Sequence, residues 1–320
     1  MKELWTIFAT FFRIGVFTFG GGYAMIPLVQ REVIDKKRWI ERENFLQLLT
    51  LAQSAPGPIA LNAAVFVGYK VRGYCGAVAA VLGVVIPSFV IMLAVAMFFA
   101  QMRDNRFVNA AFRALAGASH PCRSGRRNRP ENLQNGKGEH KMIYLQLFLS
   151  YLKIGFFGFG GGYAMLSLIQ NEVVARHGWI TASQFADIVA LSQMTPGPIA
   201  INSATYVGYT VAGFWGSAVA TASVCLPSLT LMLLITRFFI KLKDNKYVQG
   251  ALAGLAPVVI GMIAAAALML LFPESEQGRS FIDAWSWIIF AANLVASMFK
   301  VNPILLIVLS AAAGILIYAL

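Results

Sequence analysis

Charge is scarce in this sequence. Of its 320 residues only 12% are Asp, Glu, Lys or Arg, and just 14 are acidic. A soluble domain carries about a quarter charged residues, because its water-facing surface must be solvated. Without that surface a soluble globular fold is excluded, and with it a nucleic-acid-binding domain that presents a basic face. Cysteine is nearly absent too. Cys75, Cys122 and Cys225 stand apart, with no CxxC and no His at ligand spacing, so neither a disulfide framework nor a metal site is expected. His120, His140 and His177 fall in polar or loop sequence, and no Ser/His/Asp set or paired carboxylate recurs at catalytic spacing. No catalytic residue and no cofactor are therefore expected. The alternation over about ten residues that marks a barrel strand is missing as well.

Apolar residues fill the place of charge, at 58% of the chain. Ala77–Ala100, Ser217–Ile240 and Pro303–Leu320 each approach the roughly 20 residues that span about 30 Å of hydrocarbon. Backbone groups find no water there, so such segments must be helices. The expected fold class is an all-α polytopic membrane protein with the lipid bilayer as its partner. Leu4–Phe12 is interrupted by Arg13 and precedes no cleavage site, which reads as a retained first membrane segment rather than a signal peptide. The net charge of +12 gathers between and beside the apolar runs, at Arg123, Arg126, Arg127, Arg129, Lys137 and Lys141 and at helix ends such as Lys36–Arg38, Lys241 and Lys243. That is the pattern of cytoplasmic loops. Trp5, Trp39, Trp179, Trp285 and Trp287 mark membrane interfaces.

The chain repeats itself at an offset of 140 positions. Phe17–Met25 (FTFGGGYAM) matches Phe157–Met165 (FGFGGGYAM), Pro56–Asn62 (PGPIALN) matches Pro196–Asn202 (PGPIAIN), and Pro87–Ser88 matches Pro227–Ser228. The register holds without a gap to Ala116, opposite Ala256, and then fails. This defines a tandem duplicated transmembrane repeat: a first copy at 1–116, truncated at its C-terminal end, a basic polar linker at 117–141, and a second copy at 142–320. The linker, rich in Arg, Asn, Gly and Pro, is either a natural loop or out-of-frame sequence joining two once-separate reading frames.

Gly- and Pro-interrupted apolar segments at matching positions of two halves point to broken or re-entrant helices around a binding cavity. Gly20, Gly21, Gly22 with Gly160, Gly161, Gly162, and Pro56, Gly57, Pro58 with Pro196, Gly197, Pro198, are therefore the candidate substrate-binding breaks. After each PGP a new half-helix begins, whose free N–H groups and partial positive charge suit an anion. The bland alternative is small-residue helix packing. Asn62 and Asn202 lie one turn beyond the break and Gln53 and Gln193 one turn before it, placed either to bond an oxyanion or to join helices. Arg13 and Lys153 are the matched cations within an apolar segment, read as anion attraction against snorkelling to the interface. Glu32 and Glu172 are the matched acids, candidates for a coupling proton against a plain helix-end role.

Taken together, FGGGYAM, the E-V…W-I segment (Glu32 and Trp39; Glu172 and Trp179), Q-x-x-P-G-P-I-A-x-N, V-G-Y (Gly68 and Tyr69; Gly208 and Tyr209) and the later P-S resemble the chromate ion transporter family. The match covers about Leu4–Ala116 and Leu145–Met269. The resemblance implies a bacterial inner-membrane, multi-pass permease that exports chromate, an analogue of sulfate, by alternating access coupled to the proton gradient. Family members occur as two-domain chains or as pairs of single-domain proteins, and a homodimer is a further expectation. Rival readings are a permease for sulfate or another tetrahedral anion, and an inert membrane remnant left by the truncated first copy. The relative orientation of the copies stays open: basic clusters follow both long apolar runs, at Arg103–Arg113 and Lys241–Lys246, and only parallel copies would place both in the cytoplasm.

Overall fold

The computed structural model describes residues 2–18, 22, 25–102, 137–158 and 162–242, with single positions beyond. The chain divides into two units, Met1–Val259 and Ile260–Leu320. The first holds the matched parts of both repeats, and the second is described only at isolated helical positions between 288 and 309. Gly20, Gly21, Gly160, Gly161, Asp104, Asp244 and residues 117–136 of the linker lie outside the described residues.

Each repeat is the same helical sequence, and no strand occurs among the described residues. The first comprises α1 (Lys2–Phe17), α2 (Met25–Gln30) running into a π-helical turn (Arg31–Lys36), α3 (Arg42–Ser54) and α4 (Ile59–Met102). The second comprises α5 (Lys137–Phe157), α6 (Gly162–Gln170) with the π-helical turn Asn171–Arg176, α7 (Ala182–Met194) and α8 (Ile199–Leu242). The single-turn π segments recur at matched positions, as such bulges do where a site is shaped.

α4 and α8 each fold back on themselves. Arg72 and Gly73 leave helical dihedrals, as do Ala212 and Gly213. The turn needs glycine because φ is +59° at Gly73 and +66° at Gly213. The short arm (59–71) then packs against the start of the long arm (74–102) with backbones touching: a Cβ on Gly68 would lie 2.7 Å from the carbonyl carbon of Gly76. A long arm of this size spans about 43 Å at 1.5 Å per residue, enough for a hydrocarbon core of about 30 Å. Val78, Leu82, Ile86, Val90 and Met97 stand exposed along it, and Leu226, Leu234 and Phe238 along its counterpart. Outward-facing apolar stripes of this kind belong in lipid, so the fold is that of an all-α membrane protein.

α1 buries Ile7, Thr10, Phe11, Ile14 and Gly15 against the long arm of α4. Gly15 seats against Pro87 there, 2.9 Å from Pro87 Cγ to a hypothetical Cβ; Gly155 seats equally on Pro227. The two long arms run antiparallel. Arg237, near the end of the second, donates to the Tyr74 hydroxyl at the start of the first (3.1 Å). Phe89 meets Phe214 with ring centroids 6.3 Å apart, and Phe66 of the short arm meets Phe239 at 5.9 Å. The second repeat is thus the first turned end over end.

Candidate functional site

The PGP segments end one helix and begin another. Ala55 takes an extended conformation (φ −82°, ψ 145°), Gly57 has φ +100°, and Ile59 opens the short arm of α4. In the second repeat Thr195 (φ −93°, ψ 138°) and Gly197 (φ +115°) do the same before Ile199. The expected re-entrant breaks are therefore present in both copies.

The four glycine and proline breaks converge. The Gly57 N–H donates to the Gly158 carbonyl, just ahead of the second glycine run, at 2.8 Å. Symmetrically, the Gly197 N–H donates to the Thr18 carbonyl, just ahead of the first, at 2.8 Å. Within the first repeat Gly22 lies against Ile59, with 3.3 Å between a hypothetical Cβ and the Ile59 Cβ. Gly162 opens α6. Each proline break thus touches the residue that leads into the glycine run of the other repeat, and in the first repeat Gly22 also touches the half-helix that follows its own proline break.

The asparagines tie this junction. Asn62 Nδ2 donates to the carbonyls of Ala52 (2.9 Å), Ala55 (3.2 Å) and Pro56 (3.3 Å), capping the end of α3 from the first turn of α4. Its Oδ1 accepts from Ser228 Oγ of the other repeat at 2.6 Å. Asn202 repeats the arrangement with Ser192, Thr195 and Pro196 (3.1, 3.1 and 3.4 Å) and accepts from Ser88 Oγ at 2.6 Å. Both asparagines are fully buried, and these bonds engage both ends of each amide. Their helix-joining role is therefore realised in this conformation.

Gln53 differs. It is only 3% exposed, and neither amide atom has a hydrogen-bond partner among the described residues. A buried amide without partners is costly, which marks the last turn of α3 as a place where a polar ligand would be stabilised. Gln193 is half-buried. A small crevice lies beside the first break, lined by Gly22, Met25, Val29, Leu49, Ile59 and Ala60. Its side chains are apolar. Polar contact there falls to the first-turn N–H groups at Ile59 and Ala60, which have no carbonyl one turn back within their own helix.

The matched charges are not arranged alike. In the second repeat Glu172 is buried, 2.5 Å from Lys153 Nζ and 3.2 Å from Arg176 Nη1, with His177 Nε2 at 3.9 Å. His177 also bonds Ser150 Oγ (3.0 Å) and stacks on Trp179 at 4.3 Å between centroids. In the first repeat Glu32 is half-buried and pairs with Lys36 one turn on. Arg13 is exposed and has no charged partner among the described residues. Sequence reasoning singled out Arg13, Lys153, Glu32 and Glu172 but missed Arg176, His177, Thr18, Gly158, Ser88 and Ser228. The available signal for the serines was the Pro-Ser doublet recurring at the repeat offset.

These features have known parallels. The profile of a family described as "Chromate transporter" matches residues 5–120 and 145–315. The "Chromate transport protein" of Pseudomonas aeruginosa is 28% identical over 98% of this chain and 92% of its own length, in an alignment of 386 residues. The "Probable chromate transport protein" of Synechococcus elongatus is 24% identical over 97% of this chain and 94% of its own. The "Uncharacterized transporter YwrA" of Bacillus subtilis is 31% identical over 52% of this chain and 93% of its own, one repeat's worth. No solved structure matches. With both repeats matched by one family profile and the repeat's own geometry doubled about a common junction, the chain belongs to the chromate transporter family.

Proposed function

We propose that the chain moves chromate, or a tetrahedral oxyanion like it, across a bacterial inner membrane, binding it where the four breaks converge. The observation that carries this reading is the junction itself: breaks at matched positions of inverted halves are where transporters place anionic substrates. The antiparallel long arms support insertion of the two repeats in opposite orientations, an arrangement that many alternating-access transporters use. Export driven by the proton gradient is part of this proposal, with Glu32 and Glu172 as the matched acids to test. Substrate contact is assigned to Gln53 and Gln193, to backbone at Gly20–Gly22 and Gly160–Gly162, and to Pro56–Pro58 and Pro196–Pro198 with the half-helix N-termini that follow.

A specific observation argues against an inert remnant. The first copy's share of the junction is Thr18, Gly57, Asn62 and Ser88, all upstream of Ala116 where that copy stops, and Gly158, Gly197, Asn202 and Ser228 come from the second. The truncated copy still supplies its full share.

The test is uptake of radiolabelled chromate by proteoliposomes of the purified full-length chain under an imposed pH gradient, with sulfate as competitor. Uptake that collapses when the gradient is dissipated is expected. Correctly folded protein that moves no chromate would overturn the reading, and sulfate uptake at equal efficiency would widen it to tetrahedral dianions. Because Arg13 has no charged partner among the described residues and Lys153 is held by Glu172, Arg13→Gln should raise the KM for chromate by roughly tenfold, the worth of about 1.4 kcal/mol. Lys153→Gln should raise it less.

A further inference from the structure

We propose that Ser88 and Ser228 are positioning residues for the transport site, each holding the proline break of the opposite repeat in shape. The inference rests on the reading of the junction as the transport site. Ser228 Oγ donates to Asn62 Oδ1, and Ser88 Oγ to Asn202 Oδ1, both at 2.6 Å and all four residues fully buried. Each asparagine amide in turn holds three carbonyls at the end of the helix before the break. The serine therefore fixes the amide, and the amide fixes the angle between two half-helices.

The serines do a second thing. A Cβ on Gly57 would lie 2.6 Å from Ser228 Cβ, and one on Gly197 would lie 2.7 Å from Ser88 Cβ. Each serine is thus packed on the opposing glycine as well as bonded to the opposing asparagine. Pro87 and Pro227 precede the serines directly, and a proline inside a helix bends it and removes one backbone bond. The next residue of the long arm is the serine that reaches the junction. Neither repeat shapes its own break alone: the arm that does so comes from the other copy, 114 or 166 residues away in sequence. Where breaks are coupled through buried, satisfied hydrogen bonds, loss of one partner is felt at the other.

The pairing makes a reciprocal prediction. In proteoliposomes of the full chain, Ser88→Ala and Asn202→Ala should each raise the KM for chromate about fivefold to tenfold with Vmax changed less than twofold. The double variant Ser88→Ala/Asn202→Ala should be no worse than Asn202→Ala alone, because the two act through one bond. Ser88→Ala/Asn62→Ala joins residues of different bonds, and its effects should multiply. Ser88→Thr keeps the hydroxyl and should restore the KM. Effects that multiply within the Ser88–Asn202 pair would overturn the proposal. So would a fall in Vmax that tracks a lower melting temperature while KM stays fixed, since that is what a purely structural serine would give.

If the unaltered chain moves no chromate, the proposed function fails by that result, and the pairing is then judged on detergent melting temperatures of the same variants. Non-additivity confined to Ser88–Asn202 and Ser228–Asn62 supports it. Additivity there overturns it.

Discussion

The two repeats share one skeleton and hold it together with different chemistry. In the second, Ser192 and Ser203 bond at 3.2 Å, Thr205 and Thr221 at 2.8 Å, and Ser217 Oγ donates to the Thr205 carbonyl at 2.8 Å. The matched positions of the first repeat are Ala52, Ala63, Val65, Val81 and Ala77, all buried and all apolar. One bundle is joined by interhelical hydroxyls and the other by close apolar contact, both established ways to pack helices in lipid. The charges diverge in the same direction, with Glu172 clamped by Lys153 and Arg176 where Glu32, among the described residues, pairs only with Lys36. What does not diverge is the set of crossed bonds: in both halves the asparagine past the Pro-Gly-Pro segment accepts from the serine of the opposite Pro-Ser, and the glycine of that segment donates to a carbonyl of the opposite copy, at matching distances. The difference teaches where the constraint lies: packing inside each copy tolerates exchange of polar for apolar residues, while the asparagines, serines and glycines that cross between the copies do not.

The largest expected effect attacks that shared part. Gly57→Ala places a Cβ 2.6 Å from Ser228 Cβ at a residue with φ +100°. Strained φ costs about 1–3 kcal/mol and overpacking a further ~1–3 kcal/mol. Gly197→Ala meets Ser88 in the same way at φ +115°. Both variants should lose most chromate uptake and melt well below the parent, and by similar amounts. Unequal losses would show that the junction is symmetric in shape only.

A smaller effect probes where the copies differ. Glu172→Gln removes the buried carboxylate from Lys153 and Arg176, whose side chains are 48% and 59% exposed and so remain partly solvated. The expected loss is about 1–3 kcal/mol, below that of a fully buried pair. Glu32→Gln breaks a single helical i,i+4 pair with Lys36, worth about 0.3–0.5 kcal/mol. Melting temperatures of the purified variants in detergent would rank them; a reversed order would mean that the clamp around Glu172 contributes nothing to the fold.

Much of this architecture was legible beforehand, and for identifiable reasons. Apolar length dictates helices in lipid, and Gly and Pro at matched positions dictate breaks, so the repeat, the helical class and the PGP and GGG interruptions could be read directly. Orientation could not. Positive charge follows both long apolar runs, so the charge rule left parallel and inverted copies open, whereas Tyr74–Arg237 and Phe89–Phe214 show the long arms antiparallel. The partners of the asparagines were hidden as well. Spacing placed Asn62 one turn past the break, but what its amide reaches depends on an arm contributed by the other copy. Glu32 and Glu172 looked equivalent because their own positions match; they differ because Lys153 reaches Glu172 while its match Arg13 makes no ion pair among the described residues, and because His177 stands where the first repeat has Lys37.

The smallest effect sharpens the comparison most finely. If polar and apolar packing are interchangeable away from the junction, the second repeat should accept the first repeat's residues. Thr205→Val/Thr221→Val installs what stands at Val65 and Val81. Removing both partners of a buried hydrogen bond with groups of the same shape is nearly neutral, whereas removing one leaves a group unsatisfied at about 1–3 kcal/mol. Here even the single change is softened, because Thr205 Oγ1 also donates to the Ile201 carbonyl at 2.8 Å. Thr221→Val alone should therefore cost about 1 kcal/mol, and the double variant less than that, with chromate KM unchanged in both. A double variant that melts far below the single would mean that the second repeat depends on its hydroxyls for more than packing, and that the first copy's apolar solution works only in its own surroundings.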